Sequence, residues 1–319
     1  MARSELHLHL EGSIDPDTVR LLDPSLTLPE IEHHFDFSDF AGFLQSFKWI
    51  AQRLRTPEDY GTITTRLLDR LEQQGIAYAE LTLAAGVVIW KKQDLTAIYE
   101  AVRQAALDHP AVEVHWNLDS IRQFGPELAM QVVEFAIEQR ERGVISIGIG
   151  GDEASGPAHW FTDVYSIARK HGLRLTAHAG ETAGPESIWS ALAIGAERIG
   201  HGIRAIDDPV LVAHLRDRQI PLEICITSNV MTGAVPSLDA HPVRRLFDAG
   251  VPITLNTDDP GIFRTTLQRE FEIARTHFGF TGLELESISR NAMTYRFAGG
   301  DWPQSEPHPE ASAAGPKPA

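Results

Sequence analysis

Residues 174–202, RLTAHAGETAGPESIWSALAIGAERIGHG, decide the fold. The stretch opens on a short run suited to a strand (174–179), turns through Gly180, and then changes period. Pro185 starts a helical pattern over 185–193, Gly195 stops it, and a second short strand follows at 198–200. Proline in the first helical turn and glycine just past the last one are the start and stop chemistry of a helix. Strand, helix and strand in so short a span predict a parallel pair joined by a right-handed crossover.

Working outward, the same alternation recurs. Strands are expected at 5–10, 78–83, 113–118, 145–149, 174–179, 198–200, 222–226 and 253–256. Helical patterns separate them at 57–74, 96–108, 127–142, 161–171, 185–193, 209–218 and 242–248, with Gly75, Gly143, Gly172 and Gly250 as further stops. Eight such units in about 290 residues predict a closed (β/α)8 TIM barrel rather than an open doubly wound sheet. A G-x-G-x-x-G turn after the first strand, which a dinucleotide fold would use, is missing. The first connection, 15–55, is extended. Within its 35–47 stretch, Phe37, Phe40, Phe43, Leu44 and Phe47 recur at helical spacing. Long connections after barrel strands lie over the active-site face, which makes this one a candidate lid or specificity element.

The chain has 319 residues, enough for one large barrel, taken here as a single domain over 1–300. The stretch 301–319 is rich in Pro, Ala, Ser and Glu without periodicity and is expected to be a disordered tail. Nothing near the start resembles a signal peptide, and no run approaches the ~18 apolar residues of a membrane span. A cytoplasmic address and no membrane partner are therefore expected. The lone cysteine, Cys225, rules out an intrachain disulfide or a thiolate metal cluster and reads as a buried small hydrophobe. A net charge of -16 argues against a nucleic-acid partner, which needs clustered Lys and Arg, and favours a free small molecule. The sequence leaves the oligomeric state open.

The chemistry gathers at strand ends. In His7-Leu8-His9-Leu10-Glu11 the two histidines are two apart, so they share one face of a strand. His178-Ala179-Gly180-Glu181 ends the fifth expected strand, Gly200-His201-Gly202 the sixth, and Asn256-Thr257-Asp258-Asp259-Pro260 the eighth. These are carboxyl ends, the face on which barrel enzymes do chemistry. Burying so many ionisable groups in one rim costs several kcal/mol per uncompensated charge, and a bound cation would supply the compensation. Three neutral imidazoles and one carboxylate suit zinc with a position left open for water. The other histidines, such as His33, His109 and His241, fall on expected helices, turns or the tail and read as solvated or hydrogen-bonded.

Taken together, HLHLEGS at 7–13, GGDE at 150–153, HAGE at 178–181, RIGHG at 198–202, TSN and TGAV within 227–235 and NTDDP at 256–260 resemble the adenosine deaminase family of metal-dependent hydrolases. The resemblance implies one zinc ion per chain on His7, His9, His178 and Asp258. It implies Glu181 as the acid for the purine ring nitrogen N1 and His201 as the group that orients and assists the attacking water. Asp258 and His201 together can move that water's proton toward the departing ammonia. Asp259 matches the contact to N7, either protonated or accepting from a protonated N7. The backbone of Gly151 matches the contact to N3, and Glu11 sits where the family places a carboxylate near the ribose 5′ end. Zinc deaminases that act on bases within nucleic acids use cysteine ligands, which one cysteine cannot provide.

After the second strand, adenosine-specific members read Glu-Leu-Arg and then Pro. Here the text is AELTLAAGVVIWKK at 79–92, followed by DSIRQFG at 119–125, and both look like the aminodeoxyfutalosine deaminase branch. The implied substrate is an adenosine-like nucleoside with a carboxybenzoyl group at its 5′ end, with adenosine as the alternative. Phe43, Phe47 and Trp90 are candidates for an apolar wall, and Lys48, Arg55, Lys91 and Arg122 for the cation facing the carboxylate.

Overall fold

The computed structural model describes residues 3–299, so the tail expected at 301–319 lies outside the described residues. Eight strands run in sequence order, each parallel to the next: β1 Arg3–His9, β2 Ile76–Leu83, β3 Glu113–Ile121, β4 Val144–Gly150, β5 Arg174–Ala179, β6 Arg198–His201, β7 Leu222–Ile224 and β8 Ile253–Leu255. A parallel bridge from Leu8 to Asp258 joins the first strand to the end of the last. His9 N–H donates to Asp258 O (2.8 Å) and Asp258 N–H to His7 O (3.1 Å). The sheet is the expected (β/α)8 barrel. Strands such as β2 are buried on both faces, inward by the barrel filling and outward by the helices.

Helices α1 (Pro16–Leu22), α2 (Leu28–His34) and α3 (Phe40–Ala51) make up the long first connection, ahead of α4 (Pro57–Gln73). The aromatic helix thus starts at residue 40 and not at 35, because the Asp39 side chain accepts Gly42 N–H and caps it there. Helix α4 follows its sequence closely. Thr56 and Asp59 form a capping box, Pro57 takes the first turn, and Tyr60, Ile63, Leu67, Leu68 and Leu71 turn one face to the core.

The rest of the outer ring is α5 (Ala85–Trp90), α6 (Leu95–Leu107), α7 (Gly125–Gln139), α8 (Thr162–Lys170), α9 (Pro185–Ala193), α10 (Pro209–Asp217), α11 (Ile226–Met231), α12 (Val243–Asp248), α13 (Leu267–Thr276) and α14 (Gly282–Thr294). One local reading is corrected. The apolar run at 222–226 is a strand only to Ile224, since Ile226 already begins α11 with Asn229 N–H bonded to Cys225 O. The stretch after β2 forms the short helix α5, which carries Val87 and Trp90 to the barrel mouth. Among the described residues no helix is long and apolar enough to cross a membrane.

Candidate active site

At the carboxyl end of the barrel, β1 brings His7 and His9 together, β5 supplies His178, and the turn after β8 supplies Asp258. One donor atom from each of the four lies within 4.8 Å of all the others. His9 Nε2 faces His178 Nε2 at 3.1 Å, and Asp258 Oδ1 lies 3.2 Å from His7 Nε2 and 3.3 Å from His9 Nε2. Two rings are oriented from behind. His178 Nδ1 is 3.2 Å from the carbonyl of Ile149, which can only accept, so the proton is on Nδ1 and Nε2 offers its lone pair inward. His7 Nδ1 is 2.7 Å from Glu223 Oε2, and its buried Nε2 has no hydrogen-bond partner.

The donor set fits zinc in kind and number. Electrostatics point the same way. Burial lowers His7, yet the neighbouring Asp258 and Glu223 carboxylates outweigh it and push the imidazole up to about 10. A site that pulls a proton so hard onto an imidazole pulls a divalent cation for the same reason. Burial drives His9 down to about 4 and His178 well below its usual range, so both are neutral donors. A second grouping of His201, Cys225 and Asp258 shares the same carboxylate. Burial pushes the Cys225 thiol well up, so it stays protonated and is a poor ligand.

Two site residues occupy left-handed backbone, His201 (φ 60) and Asp258 (φ 63), a conformation that few side chains tolerate and that holds both toward the rim. Close packing explains two motif glycines. A Cβ on Gly12 would sit 1.6 Å from Asp259 Oδ1, and one on Gly200 would sit 2.8 Å from His7 Cε1.

Glu181 is aimed by Glu153, whose carboxylate accepts the backbone N–H groups of Gly180 (2.7 Å), Glu181 (2.9 Å) and Thr182 (2.8 Å) and the Ser187 hydroxyl. Burial alone would raise Glu153, but these donors hold it below the usual range. Glu181 itself is pushed well up, first by burial and then by the charges of Asp258 and Glu153, so it holds a proton. Asp259 is also raised, by burial and then by the adjacent Asp258, and its Oδ1 is buried without a partner. His201 Nε2 lies 3.7 Å from Glu181 Oε2 and 3.8 Å from Asp258 Oδ2.

These groups open into a cavity of about 360 Å³. His9, His178, Glu181, His201, Asp258, Asp259 and Gly151 line its polar side. The far side is apolar, with Phe40, Phe43, Leu44, Phe47, Trp90 and Phe124. The Trp90 and Phe124 rings stack at 5.3 Å and 5°. Of the four expected cations, Lys48 lines the cavity and its ammonium has no hydrogen-bond or ion-pair partner among the described residues. The others are engaged within the protein or lie off the wall, although Lys91 also lines the cavity. Arg122 is buried and donates to the carbonyls of Gly156 and His178, Lys91 Nζ is held by the carbonyls of Ala51 (2.7 Å) and Leu54 (2.6 Å), and Arg55 is not on the cavity wall.

Glu11 is not on that wall either. Its carboxylate accepts Ala84 N–H (3.1 and 3.3 Å), and burial raises it to about 7. Asp119, which the sequence reading passed over as a site residue, does line the cavity, with Oδ1 buried and unpartnered. Its signal was available: Asn117 and Asp119 share a face of β3, a polar alternation facing into a barrel.

The sequence matches the adenosine deaminase family over residues 2–303. It is 37% identical over 310 residues to an aminodeoxyfutalosine deaminase of Streptomyces avermitilis, covering 93% of this chain and 87% of that protein. It is 35% identical over 306 residues to an adenine deaminase of Rhizobium johnstonii, covering 93% and 95%. Among solved structures it resembles an adenine deaminase of Arthrobacter aurescens (TM-score 0.86, 27% identity, 93% of this chain and 94% of that one). It also resembles an amidohydrolase of Burkholderia ambifaria with bound zinc (TM-score 0.84, 26% identity, 92% and 85%).

Proposed function

The chain belongs to the adenosine deaminase family, and from that premise we propose that it hydrolyses the 6-amino group of a purine nucleoside, with aminodeoxyfutalosine as substrate in menaquinone biosynthesis. The observation that carries the extended substrate is the cavity itself. Beyond the metal donors it continues to an apolar wall with Lys48 beside it, space and charge suited to a carboxylated aromatic group and unused by a bare purine.

His7, His9, His178 and Asp258 would hold a zinc ion, which when bound would lower the pKa of a water toward ~7 and so make it a nucleophile at neutral pH. Glu181, protonated by its environment, gives its proton to N1 as oxygen adds to C6. Asp258 Oδ2, steadied by the Ser228 hydroxyl at 2.6 Å, takes a proton from the water and passes it to the amino group, which leaves as ammonia. The water's second proton restores Glu181. Asp259 is protonated and therefore donates to N7, and the backbone of Gly151 meets N3. Asp119, which lines the cavity, offers its carboxylate to a sugar hydroxyl, while Glu11 acts through the backbone of Ala84.

The test is an absorbance assay of zinc-loaded protein on aminodeoxyfutalosine, adenosine and adenine, with Glu181→Gln in parallel. The expected result is turnover mainly of the extended nucleoside, reduced about 10²–10⁴-fold by the substitution. Preferential turnover of adenosine or adenine would discard the extended substrate. Turnover of none of the three would discard the aminopurine reading.

A further inference from the structure

Behind His201, two buried side chains and a backbone amide form a line that the reaction scheme does not use. Val243 N–H lies 3.1 Å from His241 Nδ1, His241 Nε2 lies 3.2 Å from Asn229 Oδ1, and Asn229 Nδ2 lies 3.0 Å from His201 Nδ1. Ring nitrogens and carboxamide ends are interchangeable in such a chain unless something fixes its direction. Here a backbone amide does, because it can only donate.

His241 Nδ1 must therefore accept, which leaves its single proton on Nε2. That N–H needs an acceptor, so Asn229 presents Oδ1 to it and turns Nδ2 the other way. Asn229 Nδ2 then donates to His201 Nδ1, which must accept in turn. The His201 proton is left on Nε2, between Glu181 Oε2 and Asp258 Oδ2. All three side chains are buried (His241 4%, Asn229 0% and His201 1% exposed), so solvent does not substitute for a missing partner. Burial also holds His241 down at about 3, in keeping with a neutral ring.

We infer that Asn229 and His241 are positioning residues that lock His201 in the tautomer with its proton on Nε2. His201 then gives a hydrogen bond to the reacting centre, and the proton of the attacking water goes to Asp258. A neutral ring already protonated on Nε2, with Nδ1 engaged as an acceptor, has no lone pair left to receive that proton. The sequence treats His241 as an ordinary hydrogen-bonded histidine, and nothing in the spacing of residues 201, 229 and 241 joins them.

The catalytic part of this inference rests on the deaminase reading, so the first readout does not depend on turnover. In long-range ¹H–¹⁵N spectra of zinc-loaded, ¹⁵N-histidine-labelled protein, with His201 assigned by its loss in His201→Gln, Nε2 is expected protonated and Nδ1 not. Asn229→Asp keeps the shape but accepts from both neighbours, so it moves the His201 proton onto Nδ1. With it kcat falls about 10²-fold while KM changes little. His241→Gln, whose amide still donates to Asn229, keeps most of the rate that His241→Leu loses.

A spectrum with His201 Nδ1 protonated in the unsubstituted protein would overturn the inference. So would Asn229→Asp retaining kcat within about twofold. Failure of the unsubstituted enzyme to turn over any aminopurine counts against the deaminase reading instead, and the spectrum still decides the tautomer.

Discussion

The two ends of the barrel both bury charge and treat it in opposite ways. At the amino-terminal floor, Arg198 is 1% exposed and fully engaged. It meets Glu80 and Glu223 at 2.5 Å each, donates to Tyr295 O at 3.0 Å, and lies over the Phe297 ring at 3.6 Å. Glu80 is completed by the Tyr78 hydroxyl (2.7 Å) and Phe297 N–H (2.6 Å). At the carboxyl-terminal rim, Asp119 Oδ1 and Asp259 Oδ1 are buried without a hydrogen-bond partner, and His7 Nε2 has only the Asp258 carboxylate at 3.2 Å, outside hydrogen-bond geometry. Burying charge is costly at both ends, and the floor offsets it within the protein, while the rim is built as a bound cation and substrate would require. The Arg198 cluster is thus closed on itself, while the Asp119 and Asp259 carboxylates at the rim stay open toward the cavity.

Glu223 belongs to both regions, since one oxygen takes Arg198 and the other takes His7 Nδ1. The sharpest test of the contrast lies at the floor. Arg198→Met strands two buried carboxylates and should lower unfolding free energy by about 3–5 kcal/mol, read by chemical denaturation. A loss near zero would mean that the floor is not the closed network its geometry describes.

The next test separates the two roles of Glu223. Glu223→Gln should weaken zinc binding about 10–100-fold in competition with a chromophoric chelator, because His7 loses the carboxylate that orients it. Glu80→Gln, confined to the floor, should lower stability and leave zinc affinity where it was. Equal effects on zinc from both variants would erase the distinction.

The smallest effect is expected at the rim. Asp119→Ala removes no bond within the protein, so the thermal midpoint should hold or rise. It should cost about tenfold in kcat/KM, the worth of one hydrogen bond to substrate. A lower midpoint with unchanged kcat/KM would make Asp119 scaffold rather than site.

Much of this was legible beforehand because it is local. Strand period and helix stops follow from neighbours a few residues apart, so the alternation around 174–202 gave the barrel with strand ends off by only a residue or a few. His7 and His9 were legible as a pair because strand geometry alone puts them on one face. The aromatic helix was misplaced because a capping side chain at Asp39, not hydrophobic spacing, sets its start. The choice among Lys48, Arg55, Lys91 and Arg122 was open because a basic residue carries no local mark of what its head group touches.

The sequence by itself therefore determined the architecture and the inventory of chemistry at the strand ends. Tertiary structure alone decided which of those groups meet and which proton each one holds. Glu223 reaches His7 across 216 residues, and Val243 sets the tautomer of His201 through His241, just before α12, and Asn229 in α11. The reason is physical. Periodicity is a property of neighbouring residues, whereas hydrogen-bond direction and desolvation are properties of whatever the closed barrel packs against each group.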